Sequence, residues 1–122
     1  MKYSELLVWQ KAMDLVTHIY CLTRNFPCKE KYGLSSQMQK SAVSIPGNIG
    51  HGRKSTRAYL NHLSIATGSL MELEIQIQIS ARLSYLDSKT LNDVLARTDE
   101  IGKMLSGLRG SLNPQSSILN PE

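Results

Sequence analysis

One glycine-rich stretch, Gly47–Ser55 (GNIGHGRKS), has the residue types of a phosphate-binding loop. The phosphate loop G-x-x-x-x-G-K-[ST] surrounds phosphates with backbone N–H groups and places a lysine at a fixed reach. Here Arg53 separates Gly52 from Lys54 and would displace that lysine, and the preceding residues predict a helix instead of the required strand. Gly47–Gly50 also fits the GXXG of KH domains, but that module needs a sheet. We therefore expect neither a nucleotide-hydrolysing loop nor a KH domain.

The other residues capable of chemistry do not combine into a catalytic or metal site. No two histidines have the i, i+4 spacing of a helical metal site. Glu72 and Glu74 are two residues apart and so lie on different sides of a helix. We expect Glu72 to be a partly buried carboxylate with a structural role. Enzymatic activity, a metal and a cofactor are not expected.

The basic residues are concentrated in the centre of the chain. The formal net charge is +4 over 122 residues, and the segment from residue 29 to residue 57 carries all of the excess. Glu30 is its one acidic residue, and its basic residues are Lys29, Lys31, Lys40, Arg53, Lys54 and Arg57. Local positive charge favours anionic partners such as nucleic acid. The alternative is an ordinary solvated surface on a mildly basic protein.

Four amphipathic segments separated by short loops must position these residues. They run from about Ser4 to Arg24, from Leu34 to Gly50, from Ser55 for about 30 residues, and from Asp87 to Asn113. The segment 74–80 alternates like a strand, but the helical spacing continues through it, so we predict helix. The sequence predicts an all-α protein: an antiparallel up-and-down four-helix bundle over residues 1–112, followed by a disordered tail over 113–122.

The first predicted helix has more apolar surface than one core-facing stripe requires. One stripe contains Leu6, Trp9, Met13, Val16 and Tyr20, and the other contains Val8, Ala12, Leu15, Ile19 and Leu22. Such a helix either lies deep in a bundle or packs one stripe against another subunit, and we assign Leu15 to the outward side. Cys21 and Cys28 do not form a C-x-x-C pair, so we expect free, buried or half-buried thiols.

Pro46 lies inside the second predicted helix and predicts a kink near residues 44–47. Ser44 and Asn48 flank it, and their side chains can bond backbone groups that the proline frees. Our hypothesis is that a structural motif or small polar pocket forms here. Its residues would be Ser44, Pro46, Asn48, His51, Gly52 and Glu72.

Three stretches, in this order, carry a family resemblance. The first contains YSEL (3–6) and VWQKA (8–12), followed by Phe26-Pro27 and by Tyr32-Gly33-Leu34 with Gln37; the second is VSIPGNI (43–49), and the third is IATGSLMELE (65–74). Together they resemble the 23S rRNA intervening-sequence proteins over residues 3–112. The chain departs from the family pattern at Gly50-His51-Gly52, where the family has Ala-Glu-Gly, so a histidine replaces an acid.

This resemblance implies a four-helix bundle that assembles as a homopentamer, with nucleic-acid binding suspected. Some members of the family are encoded within sequences inserted in 23S rRNA genes. The fold is similar to that of the accessory variability proteins of diversity-generating retroelements, which bind RNA and a reverse transcriptase.

We therefore expect a non-enzymatic, cytoplasmic oligomer that binds structured RNA through Lys40, Arg53, Lys54 and Arg57. In a ring of five these cations would form a basic collar. The alternatives are a protein-interaction scaffold that binds no nucleic acid and a retroelement accessory protein that binds a reverse transcriptase. No apolar run reaches the roughly 18 residues of a membrane helix, so no membrane partner is expected.

Overall fold

A computed structural model describes residues 6–51 and 55–112. These residues form four α-helices and no strand: α1 (Leu7–Thr23), α2 (Leu34–Ile49), α3 (Thr56–Arg82) and α4 (Ser88–Leu112). A short 3-10 helix, Cys28–Glu30, lies between α1 and α2. The all-α prediction is confirmed. The predicted tail over 113–122 lies outside the described residues.

The four helices pack around one apolar core. Each helix contacts the next one along the chain, and α1 also contacts α4, which is consistent with a four-helix bundle. Core residues recur at helical spacing on every helix, and those of α3 are Tyr59, Leu63, Ala66, Leu70, Leu73 and Ile77. The alternating segment 74–80 is therefore helical as predicted, because its buried positions continue the same stripe.

The connection between α1 and α2 is fixed by a contact to the connection between α3 and α4. Phe26 is buried, and the centroid of its ring lies 5.1 Å from the centroid of the Tyr85 ring. The hydroxyl of Tyr85 donates to Glu30 Oε2 at 2.8 Å, and the Leu34 N–H donates to Glu30 Oε1 at 3.2 Å. These two hydrogen bonds, that of Tyr85 first, lower the pKa of Glu30. The first N–H groups of a helix have no acceptor within the helix, and Glu30 supplies one to the N–H of Leu34 at the start of α2.

Local capping explains where the later helices begin and end. Gly50 ends α2 and donates its N–H to the carbonyl of Pro46 at 2.9 Å. The Ser55 hydroxyl accepts from the Ala58 N–H at 3.1 Å and caps α3, as predicted. α2 continues through Pro46 without interruption, and the kink at this residue stays a prediction.

The structure corrects two assignments on α1 and its loop. Leu15 is 1% exposed and belongs to the core, so its assignment to the outward side is wrong. The outward residues of α1 come from the other stripe, where Met13 and Tyr20 are exposed. Cys21 and Cys28 are free, but both are exposed instead of buried.

Within the described ranges, none of the helices has the length and apolarity needed to cross a membrane.

Candidate functional site

A row of polar side chains joins α2 to α3 at the Ser44–Asn48 segment. The Asn48 amide nitrogen donates to the Ser44 carbonyl at 2.8 Å and to the Ser44 hydroxyl at 3.2 Å. The hydroxyls of Ser44 and Ser69 share a hydrogen bond of 2.8 Å across the helix pair. On the other side, Asn48 Oδ1 lies 2.9 Å from His62 Nδ1. Two of the stretches that carry the family resemblance, 43–49 and 65–74, therefore meet in this row.

The network also fixes the direction of the His62 hydrogen bond. The Asn48 nitrogen faces the Ser44 carbonyl, which can only accept, so the Asn48 oxygen faces His62. His62 Nδ1 must then carry a proton and donate it. The exposed ring of His51 stacks on His62 with centroids 3.8 Å apart, and the Tyr59 hydroxyl donates to the Ile49 carbonyl at 2.6 Å. The end of α2 is therefore held against the start of α3 by side chains.

A polar groove of about 310 Å³ runs between α2 and α3. It is lined by Gln37, Lys40, Ser41, Ser44, Ser69, Glu72 and Gln76, and we call it the polar groove. It brings together three of the residues singled out from the sequence: Lys40, Ser44 and Glu72. Glu72 is exposed and pairs with no cation among the described residues, so the expectation of a partly buried carboxylate is wrong.

The opposite side of the same α2 segment faces α1. Pro46 is buried, and together with Gly47 and Gly50 it borders a shallow depression of about 320 Å³. Trp9, Met13 and Val43 complete the depression, and we call all six lining residues the α1–α2 patch. The predicted motif thus divides in two: Ser44 and Asn48 face α3, whereas Pro46 faces α1.

The structure describes two of the four predicted nucleic-acid contacts. Lys40 is exposed at the polar groove, and Arg57 is exposed in the first turn of α3. Neither forms an ion pair with any residue in the described ranges. Arg53 and Lys54, like Gly52 of the predicted pocket, lie outside the described residues. The structure therefore does not bring the four predicted cations together into one described site.

Three residues of the site escaped the sequence reasoning. Ser69 and His62 bond the α2 motif, and Gln76 lines the polar groove. A signal for Gln76 was available, because it lies beside Leu73 and Ile77 on the core-facing side of α3, where a polar residue is unusual. The partners of Ser44 and Asn48 had no such signal, since the pairing depends on how two helices meet.

Replacing Asn48 by leucine is expected to lower the free energy of unfolding by about 1–3 kcal/mol. The change removes both bonds to Ser44 and leaves the His62 Nδ1 proton without its acceptor. Urea denaturation measures the difference in stability. The matched control is Asn61→Leu on the exposed side of α3, which should change stability by less than about 0.5 kcal/mol. Equal effects of the two changes would contradict the role assigned to the Asn48 amide.

Comparison with known sequences assigns the chain to a family. No curated protein sequence matches the chain. The sequence profile described as "23S rRNA-intervening sequence protein" matches residues 4–107, which covers all of α1 to α3 and most of α4. The match includes both stretches that meet at Ser44 and Ser69, and it confirms the resemblance drawn from them. The chain therefore belongs to the family of 23S rRNA-intervening sequence proteins.

Proposed function

We propose that this protein is a non-enzymatic, homo-oligomeric RNA-binding bundle that holds structured RNA through backbone phosphates. The proposed subunit is an antiparallel up-and-down bundle, kinked at Pro46, and the proposed ring has five copies, as the family resemblance implies. Its cations would come from Lys40, Arg53, Lys54 and Arg57.

One observation carries the proposal: the chain has no Asp or Glu between Glu30 and Glu72. All of α2 and the first half of α3 therefore lack acidic residues, while Lys40 and Arg57 are exposed there. The ion pairs of the described residues instead involve α1 and α4, for example Lys11 with Glu100 at 3.3 Å. Arg57 therefore has no carboxylate near it in the sequence and is free to bind phosphates, whereas Lys40 shares the polar groove with Glu72.

The start of α3 strengthens the attraction for anions. The first turn of a helix carries a partial positive charge, and acidic residues usually compensate it. α3 has no acidic residue in that turn and has Arg57 instead, with Arg53 and Lys54 preceding it in the sequence. A phosphate near this point would offset the like charges.

Exposed apolar surface supports the oligomer. Besides the α1–α2 patch, large apolar side chains are exposed along α3 and at Leu83, which follows it. We call them the α3 patch: Ile65, Met71, Ile75, Ile79 and Leu83, each 43–59% exposed. Large apolar side chains clustered on a surface mark protein contacts. A closed ring uses two different surfaces of each subunit, one against each neighbour. The α1–α2 patch and the α3 patch supply two such surfaces.

The α3 patch also favours a second candidate function, a protein-interaction scaffold. In that case the patch would bind a different protein, such as the reverse transcriptase of a retroelement, and the cations would be ordinary solvated charges. Nucleic-acid binding separates the two candidates, because the scaffold has no need of it.

The experiment that tests the proposal is a salt titration of the wild-type protein against a structured RNA hairpin and a DNA duplex. We expect tight binding at low salt, little dependence on sequence, and a linear fall of log affinity with log salt concentration. Failure to bind either nucleic acid at about 50 mM salt would favour the scaffold.

A further inference from the structure

The polar groove contains a buried polar group whose hydrogen bond is missing. Gln76 is only 6% exposed, and its Oε1 is inaccessible with no hydrogen-bond partner in the described part of the chain. Leaving such an acceptor unbonded is unfavourable, and buried polar groups are nearly always paired. Because Gln76 lines the groove, a rotation of its side chain would bring this oxygen to a ligand lying there, which can donate the missing hydrogen bond.

The groove also holds a cation and an anion that do not pair with each other. Lys40 lies on α2 and Glu72 on α3, and no ion pair joins either one to a residue in the described ranges. A matching ligand must therefore offer an acceptor to the Lys40 ammonium and donors to both Glu72 and Gln76. A carboxylate only accepts, so a bare phosphate is repelled at Glu72.

An unpaired guanine nucleotide meets these requirements. The Watson–Crick edge of guanine presents two adjacent donors, N1–H and N2–H₂, which suit a carboxylate and an amide oxygen. Its phosphate is an acceptor for Lys40. Adenine, cytosine and uracil each offer a single donor group on that edge. RNA-binding proteins usually take sequence information from unpaired bases, whose edges are free. The groove volume of about 310 Å³ is at the lower end of ligand sites, roughly 300–1,000 Å³.

We propose that the polar groove binds a single unpaired guanine of an RNA loop, with Glu72 and Gln76 accepting from the base and Lys40 contacting its phosphate. This inference rests on the proposed RNA binding and adds to it a base-specific contact. The basic collar would supply most of the affinity, and the groove would decide which loop is held.

The test uses four RNA hairpins with the same stem and a uridine loop that differs at one position. That position carries guanosine, 7-deazaguanosine, inosine or adenosine. 7-Deazaguanosine keeps both donors, whereas inosine lacks N2–H₂. We expect the first two to bind equally, and inosine and adenosine to bind about tenfold more weakly, as removal of a good base contact predicts.

Variants of the protein assign the preference to the groove. Glu72→Gln should remove most of the guanosine preference while binding through the collar persists. The matched control is Glu74→Gln, two residues along α3 and outside the groove lining, which should keep the preference. Gln76→Leu should also reduce the preference while thermal denaturation shows a folded protein, because the leucine removes the unbonded oxygen.

Three results would overturn the inference, and they are distinguishable. Equal binding of all four hairpins, unchanged by Glu72→Gln, rejects the groove contact but leaves the proposed RNA binding intact. Failure of every hairpin to bind at low salt rejects both proposals. If the Gln76 side-chain amide signal in NMR shifts with an arginine-containing peptide and not with the hairpins, the groove takes a protein partner.

Discussion

Leu15→Asp is expected to unfold the protein, whereas Met13→Asp is expected to leave it folded and dissociate the proposed oligomer. Leu15 is 1% exposed in the core, so the change removes its packing and places a carboxylate in an apolar site. The combined cost should exceed about 4 kcal/mol, a large part of the stability of a small domain. Circular dichroism should show reduced helicity for Leu15→Asp alone.

Met13 is 42% exposed in the α1–α2 patch, so a charge there has little effect within one subunit. In the proposed ring the same charge would lie in a subunit contact and weaken it. Native mass spectrometry measures the outcome, and Cys21→Asp, at an exposed position of α1 outside the patch, is the matched control. If Met13→Asp forms an assembly with the same number of subunits as the wild type, the α1–α2 patch is not an interface. If the wild-type protein itself is a monomer, the proposed oligomer is rejected.

Replacing Arg53, Lys54 and Arg57 together by alanine is expected to flatten the salt dependence of RNA binding. Removing one phosphate contact should reduce the log–log slope by roughly 0.7–0.9. The ratio of affinities at 50 and 200 mM salt should then fall by about threefold for every phosphate that is no longer bound. In the proposed ring each cation occurs once in every subunit. The reduction in slope can therefore exceed the reduction expected from the loss of three phosphate contacts. Fluorescence anisotropy over this salt range measures the slope.

The control for this experiment removes the same number of charges elsewhere. Arg82, Lys89 and Lys103 are exposed cations at the end of α3 and on α4, outside the acid-free part of the chain. Their replacement by alanine should change the slope much less. If both triple variants bind with the wild-type slope, the proposed collar does not contact phosphates.

The helices could be predicted because their periodicity is local. The apolar spacing of α3 correctly predicts a helix through the alternating segment 74–80. Ser55 correctly marks the start of α3, and Gly50 correctly marks the end of α2. The choice between two equivalent stripes on α1 was not local. It depends on which stripe faces α2 and α4, and Leu15 was assigned to the wrong side for that reason.

The candidate site could be predicted only in part. Lys40, Ser44 and Glu72 were identified separately, and the structure shows that one groove contains all three. Their partner Ser69 is 25 residues from Ser44, so sequence spacing does not link them. The burial of Glu72 was predicted wrongly because its position at the edge of the apolar seam fits either environment.

The most direct test of RNA binding is ultraviolet crosslinking in cells, followed by sequencing of the attached nucleic acid. The wild-type protein and the Arg53, Lys54 and Arg57 alanine variant would be expressed at equal levels and purified under denaturing conditions. We predict that structured RNA is recovered with the wild type and is strongly reduced with the variant. Recovery of no more nucleic acid with the wild type than without irradiation would contradict the proposed function.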